Sequence, residues 1–175
     1  MTDELTIRPA RDGDREFVAD FASILLEFGS PAWPEAKLLE PGFREVLARA
    51  VDDAGERTAV LIAESTGGRR LGFISLKVRP DVTGTDRAHV ADLAVAADAR
   101  RLGVGSALME AAEEWARGQG LATISLEAWS TNERALAFYR ELGFRPESLC
   151  LYKEVGPVTG ARSPRAWPGS AAGPA

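Results

Sequence analysis

The sequence is poor in the residues that staple, ligate or anchor a chain. Cysteine and histidine occur once each, as Cys150 and His89. A single cysteine excludes a disulfide within the chain and fits a reducing, cytoplasmic compartment. One Cys and one His also fall short of the four ligands of a tetrahedral zinc ion, so no metal site is expected. Apolar runs are cut by charges well before the roughly 20 residues that a membrane span needs. The start, Met1-Thr2-Asp3-Glu4, is acidic and has no apolar stretch, so no secretory signal is legible. Positive charge is scarce too: 21 Lys and Arg stand against 26 Asp and Glu, a net charge of −5. A phosphate backbone demands a basic surface, which argues against nucleic acid as the main partner.

What is present suits one soluble domain. Of 175 residues, 45% are hydrophobic, enough for one core. That domain is expected over residues 1–155. Residues 156–175 are rich in Gly, Pro, Ala and Ser, with Arg162, Arg165 and an isolated Trp167. They lack apolar periodicity and are expected to form a disordered tail.

Within the body, hydrophobic spacing predicts the order β-α-α-β-β-β-α-β-α-β. Leu5-Thr6-Ile7 alternates as a strand and ends at Pro9. Asp12 or Asp14 opens a helix whose apolar positions are Phe17, Val18, Phe21, Ile24, Leu25 and Phe28. A second helix follows Pro41-Gly42, with Phe43, Val46, Leu47 and Val51 on one side. Strands are predicted over 58–64, 71–78 and 89–95, the first two joined at Gly67-Gly68. Val104, Leu108, Ala111, Ala112 and Trp115 recur at helical spacing up to Gly118–Gly120. Residues 123–127 alternate as a strand. Ser130 then reads as the N-cap of a capping box with Glu133, opening a helix that ends at Gly143. A last strand is predicted from Cys150 to Val155, with Cys150 in the core.

The chemistry is concentrated where the strand holding Asp92-Leu93-Ala94-Val95 runs into Arg100-Arg101-Leu102-Gly103-Val104-Gly105-Ser106. A strand, a glycine-bearing turn and a helix start together make an anion site. The unpaired N–H groups of a first helical turn converge there, and the helix dipole adds positive character. Gly103 and Gly105 clear space for a pyrophosphate, and Arg100 and Arg101 add charge. A P-loop is excluded, because Gly105 is followed by Ser106-Ala107 rather than by Lys and Ser or Thr. A dinucleotide fingerprint lacks its third Gly, where Leu108 stands, although Glu127 mimics its ribose-binding acid. Arg-x-x-Gly-x-Gly is satisfied at Arg100, Gly103 and Gly105.

Together with Asn132-Glu133-Arg134-Ala135-Leu136-Ala137-Phe138-Tyr139 and the following Gly143-Phe144, this loop resembles the GCN5-related N-acetyltransferases, the GNAT superfamily. The resemblance is strong over about 89–153. It implies a three-layer α/β (α+β) fold with a mixed, mostly antiparallel sheet, helices on both faces and a splay at the cofactor site. It implies an enzyme that transfers an acetyl group from acetyl-CoA to an amine of a small molecule or peptide, as a monomer or homodimer. Backbone groups of Leu93, Ala94 and Val95 would bond the pantetheine arm, and main-chain N–H groups from Arg101 to Ser106 the pyrophosphate. Asn132 would bond pantetheine or simply cap its helix. Tyr139 would protonate the departing thiolate.

The base is left open by the sequence. Unbroken alternation puts His89, Ala91, Leu93 and Val95 on one face and Asp92 on the other. Ala91 is no base, although the family often carries a Glu on this strand. His89, with a reference pKa near 6.5, suits the task and predicts a pH limb between about 6 and 7.5. Asp92 is the next candidate, followed by Glu127 and Glu27. Phe28, Trp33, Trp129, Glu27 and Glu35 are candidate acceptor contacts. A catalytically inactive acyl-CoA-binding module of the same fold is the competing reading.

Overall fold

The computed structural model describes residues 5–27 and 36–153. The chain divides into two units at Arg145 and Pro146. In the first unit, strands β1 (Leu5–Pro9), β2 (Thr58–Ser65), β3 (Arg70–Pro80), β4 (Asp86–Val95) and β5 (Ile124–Leu126) form one sheet in that order. Neighbours are antiparallel except β4 and β5, which run parallel. The parallel step is made by α4 (Val104–Gly118), which carries the chain back across the sheet. Alternation along β2 and β3 gives the sheet two apolar faces, so helices must cover both.

One face packs Ile74, Leu76 and Val90 against Val104, Leu108 and Ala112 of α4, with Phe138 and Tyr139 of α5 (Glu133–Glu141) beside them. The other packs Val60, Ile62, Phe73 and Ala94 against α1 (Arg15–Ala19), α2 (Ala22–Leu25) and α3 (Ala36–Asp52). The mixed sheet with helices on both faces is the architecture expected.

Several local expectations need correction. The first helix is broken: a 3-10 turn at Asp12–Asp14 leads into α1, and Asp20-Phe21 separates α1 from α2. Asp14 is buried under this turn, where it accepts from Arg8, Arg70 and the Arg11 N–H. α3 does not wait for Pro41-Gly42 but begins at Ala36, with Pro41 inside it. A proline this close to the helix start forfeits only the bond that its own N–H would make to Lys37. Residues 150–153 form no strand, and Cys150 is exposed rather than core. The Leu149-Cys150-Leu151-Tyr152 pattern alternates, but without a ladder partner alternation alone cannot hold an extended segment. Residues 154–175, including the expected tail, lie outside the described residues, as do Phe28, Trp33 and Glu35.

Strand β3 meets β4 at very close range. A Cβ built on Gly72 would stand 2.6 Å from the Ala94 carbonyl oxygen and 3.1 Å from the Val95 Cα. Neither is the end of a flexible side chain, so any larger residue must push the strands apart. Gly72→Ala is expected to cost about 2 kcal/mol in urea unfolding. An unchanged midpoint would show that β4 can move away from β3 freely.

Candidate active site

Strand β4 changes sides half-way along its length. Ala88, His89 and Val90 pair with Ile124, Ser125 and Leu126 of β5, and the Ala88 N–H donates to the Thr123 carbonyl at 3.0 Å. Then the register against β3 slips. Leu76 faces Val90 while Ser75 faces Asp92, which leaves Ala91 as an extra residue. Such a bulge resets the alternation of everything after it.

Beyond the bulge, the Ala96 N–H donates to the Leu71 carbonyl at 2.8 Å, which sets the phase of the ladder. Asp92 and Ala94 therefore exchange backbone bonds with Ser75 and Phe73, while Leu93 and Val95 turn their N–H and C=O groups away from β3. No described strand pairs with that side, since the contact with β5 ends at Val90 and Leu126. The result is a wedge edged by free strand groups. Among the described residues, the Val95 carbonyl accepts only from the Arg100 Nε, at 3.5 Å. Ala94, expected to share in binding, has its backbone committed to β3.

The wedge leads into the anion loop. After a 3-10 turn at Ala97–Ala99, Arg101 and Gly103 both take positive φ, 63° and 79°. Left-handed residues alternating with ordinary ones curl successive N–H groups into a concave nest, here at the start of the α4 dipole. Nothing lies within 4 Å of a Cβ built on Gly103, so its backbone is open to approach. Gly105 serves otherwise: a Cβ there would stand 3.3 Å from the Phe138 ring, so its missing side chain lets α5 close on α4.

Helix α5 presents Tyr139 on the same sheet face as the Leu93 and Val95 side chains. The Asn132 side chain caps α5, accepting from the Ala135 N–H at 3.1 Å. Ser130 is not the cap, because Asn132, directly before the helix, reaches the third helical N–H first. At the other end Gly143, at φ 87°, donates to the Arg140 carbonyl and Phe144 donates to the Tyr139 carbonyl, both at 3.0 Å. This Schellman closure brings Phe144 onto Tyr139, with ring centroids 5.7 Å apart. The Tyr139 hydroxyl has no hydrogen-bond partner among the described residues, and burial pushes its pKa up to about 12. It therefore stays protonated at any physiological pH.

A wedge of free strand groups opening into a nest at a helix start fits an extended diamide chain that ends in a pyrophosphate. Residues 19–144 match the acetyltransferase (GNAT) family. The chain belongs to this family. It is 40% identical over 89 residues to an aminoglycoside N(6')-acetyltransferase type 1 of Klebsiella aerogenes, a match covering 49% of this chain and 59% of that protein. It is 36% identical over 94 residues to a glucosamine 6-phosphate N-acetyltransferase of Trypanosoma brucei brucei, covering 53% of this chain and 61% of that one. The chain thus spans less than two thirds of either relative. Among solved structures, an acetyl transferase of Pyrococcus furiosus superposes with a TM-score of 0.73 at 27% identity, covering 87% of this chain and all of that one. No described helix is long and apolar enough to cross a membrane.

The bulge rearranges the candidate bases. Because Lys77 faces His89 and Ser75 faces Asp92, both candidates lie on the face that carries α1–α3, not on opposite faces. Tyr139 lies on the other. The Ser75 hydroxyl donates to Asp92 Oδ2 at 2.8 Å. Burial pushes the Asp92 carboxyl above the ordinary carboxylate range, against the Ser75 hydrogen bond and the Lys77 charge. Glu127 is held below that range, chiefly by Arg79, its ion-pair partner at 3.0 Å. Glu27 is exposed at the end of α2.

His89 is 5% exposed, and its pKa is lowered to about 4, by burial first and then by Arg79 and Lys77. That replaces the limb expected between 6 and 7.5. Ser125 Oγ donates to the Ala88 carbonyl at 3.2 Å and lies 3.1 Å from His89 Nδ1. The hydroxyl has one proton to give, so Nδ1 is the donor to it. Sequence reading missed Ser75, Lys77 and Ser125, because only the strand register brings them to Asp92 and His89.

Folding depresses the His89 pKa, so the unfolded chain binds the extra proton. Its contribution to stability is complete above pH 6.5 and is lost as pH falls toward 4. Denaturation of the wild type and His89→Gln should show their stability difference shifting by up to about 3 kcal/mol between pH 7 and 4, with the wild type losing more. Parallel profiles would mean that His89 titrates in the fold as it does in the unfolded chain.

Proposed function

We propose that this protein acetylates a primary amine of a small hydrophilic molecule, with acetyl-CoA as donor, by direct attack while both substrates are bound. The reading rests on the free backbone edge of Leu93 and Val95 running into the Arg101–Gly103 nest. The Leu93 and Val95 groups would take the pantetheine amides as an added strand takes its neighbour. N–H groups from Arg101 to Ser106 would hold the pyrophosphate, with Arg100 and Arg101 beside them. The Asn132 amide N–H, without a partner among the described residues, would reach the same arm while its oxygen caps α5. When bound, acetyl-CoA supplies the activated acyl group.

The protein's own part is alignment, proton removal and protection of the leaving thiolate. The Val95 N–H is aimed into the wedge, where negative charge grows on the carbonyl oxygen. The amine nitrogen bonds the acyl carbon as the carbon–sulfur bond breaks. Asp92, oriented by Ser75, takes the amine proton, and Tyr139 gives its proton to the sulfur. Amine and thiolate thus meet their proton partners on opposite faces of β4, so neither group blocks the other. His89 stays neutral and braces β4 against β5. Both Asp92 and a partnerless Tyr139 hydroxyl favour a working enzyme over an inactive acyl-CoA-binding module.

Thiol release from acetyl-CoA against a panel of amines tests the reading. Tyr139→Phe should lower turnover tenfold to a hundredfold with acetyl-CoA affinity retained. Asp92→Asn should lower it on the order of a hundredfold or more. At low acceptor concentration the wild-type rate should rise with pH as Asp92 ionises, above the usual carboxylate range and below the amine's own titration. His89→Gln should keep that limb and Asp92→Asn should lack it. Full turnover by Tyr139→Phe, or a limb that follows His89 instead, would reassign the roles.

A further inference from the structure

The face that carries Asp92 continues past the bulge as cross-strand pairs. Ser75 faces Asp92, Lys77 faces His89, and Arg79 faces Arg87. Phe73 and Ala94, one pair earlier, lie in the core beneath α1–α3. Three cations therefore gather at the far end of this face, in a protein whose net charge is −5. Among the charged groups that act most strongly on His89, Arg79, Lys77 and Arg87 are cationic and Glu127 alone is anionic. Glu127 is bound to Arg79 and Asp86 to Arg57, at 3.0 and 2.8 Å. Lys77 is exposed and makes no hydrogen bond or ion pair with any described residue.

These cations are not the donor's. The nest that suits a pyrophosphate follows Val95, whereas Lys77 stands opposite His89, five residues along β3 from Gly72, the partner of Val95, or about 17 Å at 3.3 Å per residue. Lys77 lies instead about 7 Å along β3 from Ser75, the partner of Asp92. A ligand reaching from one to the other must carry an amine at one end and an anion at the other.

We propose that Lys77, with Arg79 and Arg87 behind it, forms an acceptor subsite for a phosphate or carboxylate on the molecule whose amine lies at Asp92. The proposal deepens the acetyl-transfer reading and rests on it for the position of the amine. It selects amines that bear an anionic group about 7 Å away over polycationic ones, which the Lys77 charge repels.

Glucosamine 6-phosphate and glucosamine are a matched pair of probes, since they differ only in the anion, and kanamycin is the polycation. The full-length protein should prefer glucosamine 6-phosphate over glucosamine at least tenfold in kcat/KM. Lys77→Glu should reduce that ratio at least tenfold, through KM rather than kcat, and Lys77→Ala by a smaller factor. The same reversal of charge should raise kcat/KM for kanamycin. A wild type with no preference, or a ratio that Lys77→Glu leaves intact, overturns the subsite. An ω-amino acid of similar span distinguishes a carboxylate site from a phosphate site by the same ratio. Calorimetric binding of glucosamine 6-phosphate, compared with the Lys77→Glu variant, reads the subsite even if no amine is acetylated. Weakened binding with no turnover on any amine would sink the acetyl-transfer reading and keep the anion site.

Discussion

A strand inside a sheet has both backbone edges paired, and β4 escapes this beyond Val90, where its pairing with β5 ends and where it contains one residue more than β3 can match. Ala91 is that residue. Before it, even-numbered residues of β4 turn their backbone groups toward β5; after it, Leu93 and Val95 do. The Ala88 N–H is satisfied by Thr123, while the groups of Leu93 and Val95 open on the wedge. Free strand groups in a sheet interior are costly unless something fills the gap. A polar chain with its own amides would satisfy them. The bulge also turns Asp92 to the face that His89 occupies and keeps the Leu93 and Val95 side chains on the face of Tyr139. One insertion thus decides which backbone groups edge the wedge and places Asp92 and Tyr139 on opposite faces of β4.

The flanking elements hold this arrangement still. Gly72 lets β3 lie so close to Ala94 and Val95 that β4 cannot drift back and close the wedge. Gly105 does the same between α4 and α5, through its contact with Phe138. The Gly143-Phe144 closure then locks the last turn of α5 and presses a ring onto Tyr139. Gly72 stands at a backbone contact that no rotamer change can relieve, and Gly105 against an aromatic ring held between two helices. Burial supplies the remaining tuning, with opposite meanings for three groups. It keeps Tyr139 protonated, keeps His89 neutral and makes Asp92 a stronger base than a solvated carboxylate.

Local patterns carried much of this into the sequence. The strand cores of β1 to β4, the span of α4 and the closing turns at Gly120 and Gly143 each depend on residues within one turn or one alternation, and they were legible. So was the strand-to-helix loop, because its glycines sit where positive φ and close packing are required. Pairing across strands was not legible. Nothing in His89-Val90-Ala91-Asp92 marks Ala91 as surplus, since an alanine fits either face of a strand. Unbroken alternation therefore set His89 and Asp92 apart when the register unites them. Ser75 looks like any strand serine until it is opposite Asp92. The reverse error occurs at Leu149 to Tyr152, where good alternation pairs with no strand among the described residues.

Net charge misleads for a related reason. A total of −5 suggests an affinity for cations, yet charge acts over a screening length of about 8 Å in physiological salt. Points about 17 Å apart along the sheet are electrostatically separate neighbourhoods. At one end the α4 dipole, the nest and two arginines form a positive site although α4 itself carries Glu110, Glu113 and Glu114 further along. At the other end Lys77, Arg79 and Arg87 lower the His89 pKa more than Glu127 can restore it. Between them Asp92 is a single carboxylate with one hydrogen bond and little water. A sum over the whole surface averages these three environments away. Substrate charge is read by the side chains that a bulge, a register and a helix start bring within one screening length of the reacting atoms.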